Sequence, residues 1–164
     1  MISLYKDYLE QKLKEAGIKG KIYRSMKELK ASGAIHLGAV LFEEENLERD
    51  GSKKTYIKED GTKVKRIRKF KRTTKLSVTI GDYSEDKCEE IFANFLNAID
   101  EGIDDGNGNF VEINIISSDW VYDKDSILRS KVAVQILIEF IGGVYEDIEF
   151  TNINQIEFTG VEFE

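Results

Sequence analysis

The 164-residue sequence contains no proline and only one cysteine, one histidine and one tryptophan. Without proline no turn is preset by a fixed φ, so Gly, Asn and Asp must form the turns. The lone cysteine, Cys88, excludes an internal disulfide and a zinc site built from several thiolates, and it fits a reducing compartment. The lone histidine, His36, provides no local Ser/His/Asp or Cys/His pair.

Long apolar runs are also missing. No stretch approaches the ~18 residues that a membrane helix needs, and the first residues, MISLYKD, lack the pattern of a signal peptide. We therefore expect a protein that is intracellular at synthesis, soluble and without a membrane partner. The length fits one domain over 1–164, and a hydrophobic fraction of 41% argues against disorder.

The residues that could carry chemistry are few. Cys88 falls on the apolar stripe of a predicted helix, where burial is more expected than nucleophilic use. The loop from Asp105 begins like a calcium-binding loop, but Phe110 and Ile116 occupy the positions that need Gly and Glu. We expect no catalytic residues, no cofactor and no metal site.

Two segments have the apolar spacing of amphipathic helices. Residues 2–16 repeat apolar side chains every three or four positions, and Gly17 is placed to end that helix. In the second segment Ser84 is placed as the N-cap and Gly102 as the end. Its apolar stripe consists of Cys88, Ile91, Phe92, Phe95, Leu96 and Ile99. Residues 18–33 fit either a short strand and a turn or a second helical piece.

Four segments alternate in the manner of strands: Ala34–Leu47, Thr73–Ile80, Phe110–Val121 and Lys131–Ile141. The pair Gly142-Gly143 is predicted to break the last of them. Between the last two strands, Trp120 is expected to anchor a connection, with a polar pocket as the alternative. This order of elements predicts an α+β fold with a mainly antiparallel sheet and helices on one face.

Charge is distributed very unevenly along the chain. The window Lys53–Lys75 holds eleven basic and two acidic residues, a net charge of +9, whereas the whole chain carries −7. Everything outside the window therefore sums to −16. So sharp a division within one small domain favours contact with another molecule.

The basic window is predicted to form a β-hairpin. Asp60-Gly61 lies between two strand-like segments, as a two-residue hairpin turn requires. The apolar residues change parity between Ile67 and Phe70, which predicts a β-bulge. We expect residues 50–72 to project from the body as a basic arm.

Three interpretations of this arm remain open. It could neutralise phosphates of a nucleic acid, dock on an acidic protein surface, or be a solvated hairpin whose edge lysines discourage aggregation. Aromatic side chains are sparse in it, and the acidic remainder of the chain would repel DNA, so nucleic acid is the less favoured partner. A basic arm against an acidic neighbour also suits a head-to-tail ring.

The predicted interface combines the arm with the acidic C-terminal segment, residues 146–164, which we expect to be a second contact strand. The interface residues are Lys63, Lys65, Arg66, Arg68, Lys69, Lys71, Arg72, Glu146, Asp147 and Glu149.

The order of elements resembles the tail terminator (tail completion) proteins of tailed phages and phage-tail-like bacteriocins. The segments that carry the resemblance are the helix Ser3–Ala16, the strand Ala34–Phe42 leading into the charged hairpin, Thr73–Ile80 with the helix Ser84–Glu101, and the strands Phe110–Val121 and Lys131–Ile141. They cover most of the chain, as a pattern of order and length rather than an invariant motif.

The resemblance implies a non-enzymatic subunit of a hexameric ring that caps the tail tube and, in contractile tails, meets the last sheath ring. Its partners would be further copies of itself and the tube and sheath proteins. It would be assembled in the bacterial cytoplasm and become part of a virion or phage-tail-like particle. Another neck or baseplate protein of the same assembly is the alternative, and a nucleic-acid-binding module is the alternative from another class.

Overall fold

The computed structural model describes residues 1–122 and 132–150. In them the chain forms three helices, α1 (Ile2–Ala16), α2 (Met26–Ala31) and α3 (Glu85–Ala98). The strands are β1 (Ile22–Tyr23), β2 (Leu37–Arg49), β3 (Lys53–Ile57), β4 (Lys63–Asp82), β5 (Gly102–Asp104), β6 (Phe110–Tyr122) and β7 (Val132–Glu149). The region 18–33 thus contains both a short strand and a short helix. None of the helices in the described ranges is long and apolar enough to cross a membrane.

All seven strands join one sheet in the order β1-β2-β4-β7-β6-β5, with β3 also paired to β4. Only β1 and β2 are parallel, and the other pairs are antiparallel. The predicted α+β class with a mainly antiparallel sheet is confirmed. The two longest strands, β4 and β7, are neighbours at the centre of the sheet, so they position every other strand.

Helix α1 buries the side chains that its sequence spacing places on one face, namely Tyr5, Leu9, Leu13 and Ala16. It ends as predicted at Gly17, whose φ of 120° is a conformation that side-chain-bearing residues rarely adopt. Tyr5 stacks on Phe140 of β7 with ring centroids 4.3 Å apart. This contact fixes α1 against the centre of the sheet.

Most of the core lies between one face of the sheet and the two long helices. It includes Leu9 and Leu13 of α1, Cys88 and Phe95 of α3, and alternate residues of the central strands. The alternate strand residues are Leu76, Val78, Ile80, Val134, Ile136, Ile138 and Phe140. On β2 the intervening residues point to the opposite face, where Leu37, Ala39 and Leu41 pack with Leu29 of the short α2.

The ends of α3 differ from expectation. Ser84 is the N-cap residue, but its side chain makes no capping hydrogen bond. Instead the Asp82 carboxylate accepts hydrogen bonds from the backbone N–H groups of Tyr83 and Ser84. The helix ends at Ala98, and Gly102 opens β5 rather than stopping the helix. A Cβ at Gly102 would lie 2.4 Å from the carbonyl oxygen of Val111, so this glycine permits close strand pairing.

The predicted break at Gly142-Gly143 is wrong, because β7 runs through both glycines to Glu149. A Cβ on Gly142 would lie 3.3 Å from Val111 Cγ2 and 3.4 Å from the Tyr5 hydroxyl. A Cβ on Gly143 would lie 2.7 Å from Arg68 Cδ. Other side chains crowd the strand here, so glycine allows close approach instead of ending the strand.

Candidate protein interface

The basic arm is part of a long three-stranded ribbon. β2 and β3 follow one another along one edge of β4, joined where Asp50 N donates to Lys69 O at 3.1 Å and Arg68 N donates to Ser52 O at 2.9 Å. β7 pairs along the other edge of β4 over its whole length, from Asp82↔Val132 to Val64↔Glu149. The arm therefore has an acidic strand beside it, which the sequence pattern did not predict.

The turn at the tip of the arm is a three-residue loop, so the predicted two-residue turn is wrong. Gly61 N donates to Lys58 O at 2.9 Å, and Lys58 N donates to Thr62 O at 2.9 Å. A two-residue type I′ turn would need positive φ at both Asp60 and Gly61. Only Gly61 has it, with φ of 85°.

The predicted bulge is confirmed. The register of β4 against β7 shifts between Arg68 and Phe70, which leaves Lys69 as the extra residue. An extra residue inverts the alternation of side chains along a strand. This explains why Ile67 and Phe70 differ in parity although one strand carries both.

Arg66 is the centre of the ion pairs in the arm. Its Nε and Nη2 donate to the two carboxylate oxygens of Asp147 on β7, both at 2.7 Å. Its guanidinium carbon lies 4.9 Å from the centre of the Tyr56 ring. Two parallel N–H···O bonds make this a strong pair, and hydrogen bonding by Arg66 lowers the pKa of Asp147 from 3.8 to about 2.

The same guanidinium ties the arm to the β5–β6 loop. Arg66 Nη1 donates to the Asn107 carbonyl at 2.9 Å and to Asn109 Oδ1 at 2.7 Å. The loop is held by Asp105, whose carboxylate accepts from Asn107 N, Asn109 N and Asn109 Nδ2. Burial alone would raise the pKa of Asp105, but these hydrogen bonds and the charge of Arg66 hold it below its ordinary value. The loop that resembles a calcium site is thus an internal brace for the arm.

Five further cations of the basic window are paired with carboxylates of the same chain. The pairs are Lys58–Glu149 at 2.5 Å, Arg68–Asp50 at 2.5 Å, Lys69–Glu146 at 2.7 Å, Arg72–Glu45 at 2.5 Å and Lys75–Glu44 at 2.5 Å. All three predicted acidic interface residues, Glu146, Asp147 and Glu149, are partners within the chain. We expected this segment to be a contact strand, and its described part pairs with β4 of its own chain.

This pairing removes most of the charge asymmetry. Residues 43–75 carry a net charge of +5 and residues 139–149 carry −4, so the ribbon that they form is close to neutral. Among the predicted interface cations, Lys63, Lys65 and Lys71 have no ion pair within the described ranges. The C-terminal part of the predicted contact strand, residues 151–164, lies outside the described residues.

The remaining candidates have structural roles. Cys88 is fully buried, its Sγ lies 3.5 Å from the carbonyl oxygen of Ile80, and burial raises its pKa to about 11. Nδ1 of His36 lies 2.7 Å from the Asp82 carboxylate. Trp120, which was expected in a connection between strands, lies within β6 and packs edge-on against Phe92 of α3. Within residues 1–122 and 132–150, no three His, Cys, Asp or Glu side chains are grouped to hold a metal ion.

Comparison with known proteins connects this geometry to the resemblance found in the sequence. No protein-family model and no curated protein matches the chain. Among solved structures it is similar to the sheath/tube terminator, in the extended state, of an extracellular contractile injection system called PVC, with a TM-score of 0.52 and 11% sequence identity. The match covers 100% of this chain and 64% of that one. At this identity the likeness establishes a shared fold, and the fold is the one that the resemblance to tail terminators implied.

Proposed function

We propose that the protein is a structural subunit that caps the end of a phage-type contractile tail, where it contacts the tube and the sheath. The observation that carries the proposal is the structural similarity to the sheath/tube terminator of a contractile injection system, which covers 100% of this chain and 64% of the other. A shared fold supports a shared role only by analogy. In this proposal the chain acts through its surfaces and carries out no reaction.

The working form would be a ring, and six subunits are the number that the resemblance implies. A ring needs two different surfaces on each subunit that fit one another. The lysines of the arm that lack an ion pair in the described ranges supply one candidate surface. The rest of the chain, outside 43–75 and 139–149, carries −8 and supplies the complementary charge. The subunit would assemble in the bacterial cytoplasm and end in a virion or phage-tail-like particle.

The neutralised arm disfavours the nucleic-acid alternative. Six of the eleven cations in the basic window form ion pairs with the chain's own carboxylates. Binding through phosphates would require those pairs to open or would use the remaining lysines alone. A salt titration with random duplex DNA measures this directly, since each phosphate contact contributes about −0.9 to the log–log slope.

Native mass spectrometry and co-purification test the proposal. The full chain should form a closed oligomer, alone or on the tube, and should co-purify with tube or sheath protein from the same gene neighbourhood. A chain that stays monomeric and binds neither protein would overturn the proposal. Retention of DNA at physiological salt, together with that result, would favour the alternative.

A further inference from the structure

The two faces of the arm differ in chemistry. Directly opposed residues of an antiparallel sheet point to the same side. Lys54, Arg66 and Asp147 are opposed on the three strands, and their side is braced by the β5–β6 loop. Lys53 and Ile67, one position along, are opposed on the other side, which we call the outer face. The outer face contains Lys53, Thr55, Ile57, Lys63, Lys65, Ile67 and Ile148, together with Glu146, which is paired with Lys69 at 2.7 Å.

The outer face is apolar and cationic. Ile57 is 70% exposed and Ile148 is 48% exposed, while Ile67 is half-buried between them and the body. The three isoleucines lie on successive rungs of this face, Ile57 on β3, Ile67 on β4 and Ile148 on β7, so that apolar and cationic side chains are interspersed. The three lysines around them have no ion pair within the described ranges.

A partner for this face should offer both acidic and apolar side chains and few cations. Residues 151–164 of the chain have this composition, with three acidic residues, no basic residue and five large apolar side chains. The acidic residues are Glu157, Glu162 and Glu164, and the apolar residues are Ile153, Ile156, Phe158, Val161 and Phe163.

Strand β7 ends beside the tip of the arm. Phe150 N donates to the carbonyl oxygen of Lys63 at 3.1 Å, beside the turn at the tip of the arm. At that point β7 is running away from the body. Fourteen residues follow Phe150, and fully extended they would span up to about 46–50 Å.

We propose that the outer face of the arm binds residues 151–164 of a second copy of this chain, so that each copy gives its acidic segment to the next. The inference rests on the proposed ring. Carboxylates of the segment would meet Lys63 and Lys65, and its apolar side chains would cover Ile57 and Ile148. The contact is head-to-tail, because the donated segment and the accepting face are different surfaces of one subunit.

Photo-crosslinking between isotopically distinct copies tests the proposal. Benzoylphenylalanine replaces Ile57 on the outer face, and a matched control replaces Lys54 on the braced face. Full-length photo-reactive chains are mixed with ¹⁵N-labelled chains, allowed to exchange and irradiated. Position 57 should yield adducts with ¹⁵N peptides from residues 151–164, and position 54 should not.

Each other outcome counts against the inference. Adducts only with the chain's own unlabelled segment would place the contact within one copy. Adducts with other parts of the chain would overturn the inference and leave the proposed ring intact. The absence of any adduct, while native mass spectrometry shows a closed oligomer, would do the same. Monomers alone would overturn the ring as well.

Charge reversal gives a second test. The double variant Lys63→Glu and Lys65→Glu should weaken self-association about three- to tenfold, as expected for two exposed ion pairs. Combining it with Glu157→Lys and Glu162→Lys should restore association, because the charges are exchanged and the pairs are kept. Failure of the combined variant to recover any association would contradict the assigned contact.

Discussion

Replacing Arg66 with Ala should loosen the arm more than any other single change of charge in it. The substitution removes the two 2.7 Å bonds to Asp147 and the bonds to Asn107 and Asn109. Breaking a fully buried pair costs ~3–5 kcal/mol. The Arg66 side chain is 16% exposed and that of Asp147 is 34% exposed. Water can therefore solvate the unpaired carboxylate in part, and we expect the substitution to destabilise the arm by about 2–3 kcal/mol.

Hydrogen exchange followed by mass spectrometry measures this loss locally, because an arm can open without global unfolding. The amides of residues 142–150 should exchange about 30–150-fold faster in Arg66→Ala, since 1.4 kcal/mol corresponds to a tenfold change. Lys54→Ala is the matched control: Lys54 is opposed to Arg66 on the same face of the ribbon and has no ion pair in the described ranges. Its effect should stay below about threefold. Equal exchange in the two variants would refute the central position of Arg66 in the arm.

The same pair gives a pH prediction with a defined sign. The folded pKa of Asp147 is about 2, below its ordinary 3.8. A depressed carboxyl pKa contributes stability that is present above about pH 4 and is lost as the pH falls through 2. After a discount for the exposure of Asp147, the contribution is about 1–2 kcal/mol. An NMR titration should find the pKa near 2 in the wild type and close to 3.8 in Arg66→Ala; equal values would contradict the pairing.

Three further changes test the core and the strands. Phe140→Ala should lower the free energy of unfolding in urea by ~3–5 kcal/mol, because Phe140 is fully buried against Tyr5, and a cost below 1 kcal/mol would contradict that packing. Gly143→Val should speed amide exchange in β7 more than Val144→Ala does, because a Cβ at position 143 would meet the Arg68 side chain. Equal exchange rates in the two variants would mean that β7 is not crowded at this position. Cys88 should resist alkylation at pH 8 until the protein is unfolded, because its pKa is about 11, and rapid native labelling would contradict its burial.

Helices, strands and bulges that depend on the spacing of nearby apolar residues could be predicted from the sequence. The spacing of Tyr5, Leu9 and Leu13 predicted both α1 and its buried face, because a helix repeats its contacts every three or four residues. The parity change between Ile67 and Phe70 predicted the bulge, because alternation along a strand reports which side faces the core.

Features that depend on distant residues could not be predicted in this way. In the sequence, Gly142 and Gly143 are typical of the end of a strand. In the structure they lie within β7, where glycine leaves room for the side chains of Val111 and Arg68, which are distant along the chain. The sequence favours an outside partner for the acidic end of β7, because it does not show that Asp147 opposes Arg66. The charge excess of the basic window is real in the sequence and mostly cancelled by strand pairing.

Cryo-electron microscopy of tail ends would show whether this protein caps a contractile tail. Tube and sheath proteins from the same gene neighbourhood would be assembled with and without the full chain, and the two ends of each particle would be classified. If the protein is the cap, a ring of it should lie on the last tube ring, and tail lengths should be distributed more narrowly. Bare tail ends and an unchanged length distribution, with the protein present in excess, would contradict that role.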